Sequence, residues 1–258
     1  MDPNQYNQIA WDRIAKDQRQ WFVPPTPERI AAAGRGEISI RLTATKNVPA
    51  DWFGPVEKLA NLKVLCLAAG GGHQGPLLAA AGADVTVVDF SEGQLETDRQ
   101  VAAEHDLTLK TLQRDMRDLG DIGPFGMIIN PCSVNFCDQV ERVWQEAFRV
   151  LSPGGVFMAG LINPINYLFD DHEMLSGKFV VINSIPFRSH SAVVIDVQDE
   201  DVPPVPAEFG HSLEQLISGQ LKAGFLLTDF YEDRWGAGDL LSERISVFMA
   251  TRCIKPGK

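Results

Sequence analysis

The chain has 258 residues, 45% of them hydrophobic and 22% charged, with a formal net charge of -11. That length fits one large domain with an elaboration. The acidic balance argues against a nucleic-acid backbone as partner, and no apolar run is long enough to cross a membrane.

Residues 1–55 read as a helical preface. IAWDRIAKDQRQWF has Trp11, Ile14 and Trp21 on related faces of an amphipathic helix. Pro24, Pro25 and Pro27 break it, and Thr26 caps a second helix over PERIAAA with Pro27 at its first position. The polar, acidic start excludes a secretory signal. From Lys63 the pattern changes. KVLCLAA is a continuous apolar run bounded by glycines, as in a strand buried on both faces. QGPLLAAAG is a helix closing on Gly82, DVTVVDF a second strand, and Ser91 caps the helix EGQLETDRQVAAEHD. LTLKTLQRDM holds a third strand and FGMIINP a fourth. DQVERVWQEAFRVL is a helix ended by SPGG, and VFMAGLI is a fifth strand. Strand and helix alternate, which predicts a parallel α/β sheet wound on both faces.

The alternation stops at Asn163. Residues 163–207 read as an insertion after strand five, with KFVVINSIPF and SAVVIDVQ as strands and DEDVPPVPAEFG as a loop. The core, 56–162, resumes at 208–258 with the helix LEQLISGQLKAGF, where Ser212 and Gln215 form a capping box. LLTDFYE and ISVFMATRC follow; the link between them is too short for a helical crossover, so they pair antiparallel. The cysteines Cys66, Cys132, Cys137 and Cys253 lack C-x-x-C spacing and a nearby His, which fits a reducing cytoplasm and no metal site.

The chemistry centres on LCLAAGGGHQG. Gly70, Gly72 and Gly75 satisfy G-x-G-x-x-G between strand one and helix one, where glycines admit a ligand and the helix N-terminus offers free N–H groups. Asp89 ends strand two, where a carboxylate can accept from a ribose diol. Loop and acid indicate a nucleoside site without naming the cofactor. RDM at 114–116, RVLSPGGVF and the C-terminal strand pair break the tie.

In this order and spacing, VLCLAAGGG, VTVVDFS, QRDM, FGMIINPCS and RVLSPGG resemble the class I S-adenosylmethionine-dependent methyltransferases. The resemblance implies a doubly wound, mostly parallel seven-stranded sheet with an antiparallel C-terminal strand, carrying here an N-terminal helical lid and a β-rich insertion. It implies S-adenosylmethionine as cofactor and methyl transfer to a small-molecule acceptor. An NAD(P)-dependent oxidoreductase and a cofactor-binding relative without turnover are the alternatives.

By the same resemblance Gly70 and Gly72 border the methionine part of the cofactor, His73 and Gln74 begin helix one beside it, Asp89 takes the ribose hydroxyls, and Ala68 and Gln94 are further cofactor contacts. Phe90 covers the adenine, Asp115 and Met116 read its edge, and Asn130 and Pro131 lie beside the sulfonium. Two positions depart from the family. Cys66 stands where an acid often organises the loop, and Ala68 where a glycine is usual. Tyr6, Trp11 and Trp21 are candidates for a lid, with Tyr6, Trp11, Asn163 and Tyr167 as acceptor contacts. A base is needed only if the acceptor carries its proton at neutral pH; His211 and His190 are the candidates, ahead of His172.

Overall fold

The computed structural model describes residues 2–17, 23–189 and 205–257. Strands β1 (Lys63–Leu67), β2 (Asp84–Asp89), β3 (Lys110–Gln113), β4 (Phe125–Asn130) and β5 (Leu151–Ile162) alternate with helices α3 (Gln74–Ala80), α4 (Glu92–Glu104) and α5 (Val140–Val150). Later in the chain come α7 (Gly219–Ala223), β8 (Leu226–Asp233) and β9 (Phe248–Ile254). The seven strands form one sheet in the order β3-β2-β1-β4-β5-β9-β8. The first five are parallel, and β9 runs antiparallel between β5 and β8. The expected architecture is therefore present.

The apolar runs make two cores, because alternate side chains leave a strand on opposite faces. On one face Val64, Cys66, Val87 and Ile129 pack with Leu77 of α3 and with Ile30 and Ala33 of α2 (Pro27–Gly34). On the other, Leu65, Leu67, Ile128 and Phe157 pack with Val143, Trp144 and Ala147 of α5. The predicted caps form: Thr26 accepts from Arg29 N, Ser91 Oγ from Gln94 N, and Ser212 and Gln215 bond reciprocally.

Four elements differ from the sequence reading. Helix α1 (Pro3–Lys16) begins earlier than Ile9, because Pro3 supplies a preset φ at a helix start. Its buried face is Tyr6, Asn7, Ala10 and Ile14; Trp21 lies outside the described residues. Strand β5 begins at Leu151, which pairs with Phe125, so SPGG is an irregularity at the start of the strand and not a separating turn. The helix before β8 opens with a π segment, Glu214–Ser218, where Trp144 Nε1 donates to the Gln215 carbonyl and draws it toward α5. In the insertion, α6 (Asp171–Leu175) was not foreseen. KFVVINSIPF is not a strand along its length; Val180, Val181 and Ile182 are exposed, and only its end enters β6 (Phe187–Arg188), paired with β7 (Phe209–Gly210). SAVVIDVQ lies outside the described residues.

The preface crosses the carboxyl ends of the parallel strands. A Cβ on Gly160 would collide with the Leu42 carbonyl, so only glycine on β5 admits that close approach. Leu42 O then accepts from Cys132 N. The crossing is clamped by Asp233 at the end of β8, which is buried and accepts from Thr43 Oγ1 at 2.7 Å, Thr45 Oγ1 at 2.5 Å, Thr45 N at 2.8 Å and Lys46 N at 2.9 Å. Burial pushes this carboxyl up, but the bonds from Thr45, Lys46 and Thr43 outweigh it and hold it at about 2. Its stabilisation is therefore present above the ordinary value of 3.8 and lost as pH falls through about 2. Asp233→Asn is expected to cost about 2–3 kcal/mol at pH 7, as for hydrogen bonds to a charged group. The gap from wild type should close between pH 4 and pH 2 in urea titrations; equal stability at pH 7 would contradict the clamp.

Candidate functional site

A cavity lies over the carboxyl ends of the strands, at the switch point between β1 and β4 where open α/β sheets bind ligands. One side is made by the glycine loop, the end of β2 and the segment after β3: Gly70, Gly71, Asp89, Phe90, Asp115 and Met116. The other follows β4, β5 and the β8–β9 pair: Cys132, Asn135, Phe136, Ile162, Trp235 and Phe248. Asn4 and Trp11 of α1, and Thr43 and Ala44 of the preface, close it from outside.

Asp89 joins the first side together. Its Oδ2 accepts from Gly70 N at 3.0 Å and its Oδ1 from Ser91 N at 3.0 Å. Each oxygen keeps a lone pair for a ligand. Burial raises the carboxyl to about 6, against the bonds from Ser91, Gly70 and Phe90. A Cβ on Gly70 would meet Gln94 Cβ and Asp89, so the backbone there is bare by necessity. Gln94 lines the cavity, and its buried Nε2 has no hydrogen-bond partner among the described residues. A carboxylate acceptor and a spare amide donor thus flank an open glycine backbone, a set that fits a ribose carrying a polar chain.

Of the other residues expected around a cofactor, Ala68, Gln74, Phe90, Asp115, Met116 and Pro131 also line the cavity. Ala68 sits at φ 45°, the left-handed conformation that explains why glycine is usual there. Asp115 is engaged by Arg117, which reaches on to Asp138 at 3.0 Å; burial pushes its carboxyl up, but the Arg117 bonds hold it below the usual range. Gly72, His73 and Asn130 lie behind the lining. Gly72 packs under α4, where a Cβ would meet Val101. His73 is buried with Nδ1 3.2 Å from the Val23 carbonyl, and burial lowers it to about 4. Asn130 donates to Leu67 O and Ser133 Oγ, tying β4 to β1.

Among the expected acceptor contacts, Trp11 lines the cavity, edge-on to Phe136. Tyr6 is buried and donates to Val205 O. Asn163 caps the turn at Ile165 and donates to Ser246 O. Tyr167 stacks on Phe187 and donates to Glu208 Oε2 at 2.7 Å, in the layer behind Asn135. His211 is not brought to the cavity either. Its Nε2 lies 3.0 Å from Val134 O and 2.8 Å from Cys137 O, where an N–H ties the turn after β4 to the chain before the capped helix. His172 is on α6, and His190 lies outside the described residues. No group of three or more His, Cys, Asp or Glu fit to hold a metal occurs among the described residues, and no helix among them is long and apolar enough to cross a membrane.

Sequence reasoning missed Asn4, Thr43, Asn135 and Trp235. Asn4 was hidden by the late helix start, whereas Asn135 stands in the stretch CSVNF directly after the Asn-Pro that ends β4 and was within reach.

A methyltransferase domain model matches residues 65–159. The uncharacterized methyltransferase YbaJ of Bacillus subtilis (strain 168) is 42% identical over 97% of both chains. A demethylmenaquinone methyltransferase of Clavibacter sepedonicus is 36% identical over 39% of this chain and 41% of its own. Among solved structures, an S-adenosylmethionine-dependent methyltransferase from Mesorhizobium loti superposes with TM-score 0.58 at 18% identity, covering 79% of this chain and 99% of that one, which speaks for the fold.

Burial lowers His211 from its ordinary 6.5, more than its two carbonyl partners raise it, so the folded chain keeps the ring neutral. Its stabilisation is complete above pH 6.5 and falls below it. His211→Ala is expected to lose roughly 1–3 kcal/mol of unfolding free energy at pH 7.5, a deficit that shrinks as pH drops below 6.5. A folded variant as stable as wild type at pH 7.5 would deny the residue this tie.

Proposed function

The chain belongs to the class I S-adenosylmethionine-dependent methyltransferases, and we propose that it methylates a small, uncharged, largely apolar molecule held between the β4, β5 and β9 ends. The cofactor half of this reading is supported by Asp89, buried yet lining the cavity beside Gln94, whose Nε2 has no partner among the described residues. When bound, S-adenosylmethionine supplies an electrophilic methyl group on a sulfonium. Asp89 would accept from the ribose hydroxyls, Gly70 and Gly71 would give the methionine chain its backbone approach, and Phe90 and Met116 would cover the adenine.

The acceptor half is supported by its lining. Phe136, Ile162, Trp235 and Phe248 offer apolar and aromatic surface, and Thr43, Ser133 and Asn135 offer neutral polar contacts. Among the described residues there, none is His, Lys, Asp or Glu. The work left to this chain is to hold a nucleophile in line with the methyl group and exclude water, and positioning alone supplies a large share of such a barrier. His190 remains the candidate base for an acceptor that needs one.

Helix α1 is the proposed lid. Besides Asn4 and Trp11, it supplies Asp12, whose Oδ1 accepts from Ser91 Oγ at 2.6 Å and Gly93 N at 3.0 Å, and Gln8, which donates to Phe90 O. The lid is thus bonded to the cofactor half of the site as well as covering the acceptor.

S-adenosylhomocysteine is expected to raise the melting temperature by mass action, and NAD(H) and NADP(H) to leave it unchanged; a shift with the nicotinamide cofactors alone would sink the assignment. Asp89→Asn should weaken that binding by roughly 1–3 kcal/mol. Because the carboxyl sits at about 6, wild-type affinity should rise between pH 5 and pH 7 as the better acceptor forms, and the rise should be absent in the variant. Removing residues 1–22 should depress turnover and cofactor affinity together; a truncated chain with full turnover would remove the lid.

A further inference from the structure

The glycine loop has no acid on the strand that leads into it. Cys66, two residues before Ala68, is a buried thiol pushed up by burial and by the charge of Asp98. The loop amides are served from another element. Asp98, in the second turn of α4, is wholly buried, and its Oδ2 accepts at 2.9 Å from Gly71 N, which also donates to the Gln94 carbonyl at 3.1 Å. Its Oδ1 lies where a Cβ on Gly75 would come within 3.1 Å. Thr97 and Val101 on the same helix press on Gly72, so that any side chain there would collide with them. Gly71 and Gly72 stand at φ 108° and 75°, left-handed backbone that glycine adopts without strain, and the Gly71 N–H is turned toward α4.

We infer that Asp98 is the positioning residue for the methionine end of the cofactor, doing from α4 what a carboxylate at position 66 would do from β1. The inference rests on the cofactor assignment above. Asp98 does not line the cavity; it acts through Gly71, whose backbone does. A carboxyl with one oxygen lacking a partner among the described residues is a costly thing to bury. Burial pushes the carboxyl up, against the backbone bonds from Gly72 and Gly71. A helix that needed only packing would be served better by an apolar residue at this point. Asp98 also acts electrostatically on the Cys66 thiol, which places the two side chains near each other.

The test compares wild type with Asp98→Ala, Asp98→Asn and the double variant Cys66→Asp/Asp98→Ala, using S-adenosylhomocysteine titration calorimetry and the melting temperature without ligand. Asp98→Ala should bind about tenfold more weakly, the size of one lost hydrogen bond, and Asp98→Asn should fall between. The double variant should recover most of the affinity, a rescue that loss of packing alone would not give. Hydrogen exchange of the ligand-free variants should rise in peptides covering 68–76 and stay level in those covering β4 and α5. Unchanged affinity in Asp98→Ala, a double variant no tighter than Asp98→Ala, or exchange raised evenly through the chain would each overturn the inference. If Asp98→Ala does not fold, Asp98→Asn carries the affinity and exchange comparisons with the same expectations. Failure of the wild type to bind S-adenosylhomocysteine would instead overturn the cofactor assignment, and this inference with it.

Discussion

The site depends on a carboxylate that belongs to no helix. Asp89 ends β2, and its two oxygens take the amides of Gly70 and Ser91. The first comes from the loop after β1, the second from the cap of α4. One buried group therefore sets the spacing between two neighbouring strand-to-helix turns. Around it the backbone is stripped of side chains, since Gly70 has no room for one. Every cofactor contact proposed above is measured from this point, and α1 joins it one bond later through Asp12 and Ser91.

Asp89 and the glycines were legible in the sequence because both are local signals. A strand buried on both faces reads as a continuous apolar run, and its end is marked by the first residue that breaks it. Strands β1, β2 and β4 followed for the same reason, and the capping box at Ser212 is a local signal of its own; β3 and β8 are mostly exposed or half-buried and were marked by their place in the alternation. The acceptor side was not legible, because it is assembled from residues far apart in the chain. Thr43 reaches it through Asp233, 190 residues later, and no pattern in either stretch announces the other. His211 misled for a related reason. A histidine beside a capped helix at a domain edge looks available, yet here two carbonyl oxygens from a distant turn occupy its ring nitrogen. In α1 the reading of Trp11, Ile14 and Trp21 as one face holds for Ile14, whereas Tyr6 and Ala10, each four residues further back, complete the side that packs inward.

The two departures at the glycine loop have different physical consequences. Ala68 keeps the left-handed backbone of the family's glycine and accepts its strain, on the order of 1 kcal/mol for a residue with a Cβ. Its amide is held by the Val88 carbonyl at 2.7 Å, so the strand pairing of β1 with β2 enforces the conformation. Cys66 removes a carboxylate, and strain cannot replace an acceptor. The amide of Gly71 is shared between the Gln94 carbonyl at 3.1 Å and Asp98 Oδ2 at 2.9 Å, and both acceptors come from α4.

That transfer of duty changes what α4 is for. With the acid on β1, the loop would be fixed by the sheet, the most rigid part of the molecule. With the acid on α4, the loop is fixed by a helix whose first turn is itself held by Asp12 of α1. The glycine loop, the helix and the proposed lid then form one bonded series: Asp12 to Gly93, along α4 to Asp98, and from Asp98 to Gly71. Two carboxyls, Asp12 and Asp98, carry the links of this series to backbone amides. Trp11 at the cavity and Gly71 in the loop are thereby joined by hydrogen bonds, although they belong to elements sixty residues apart.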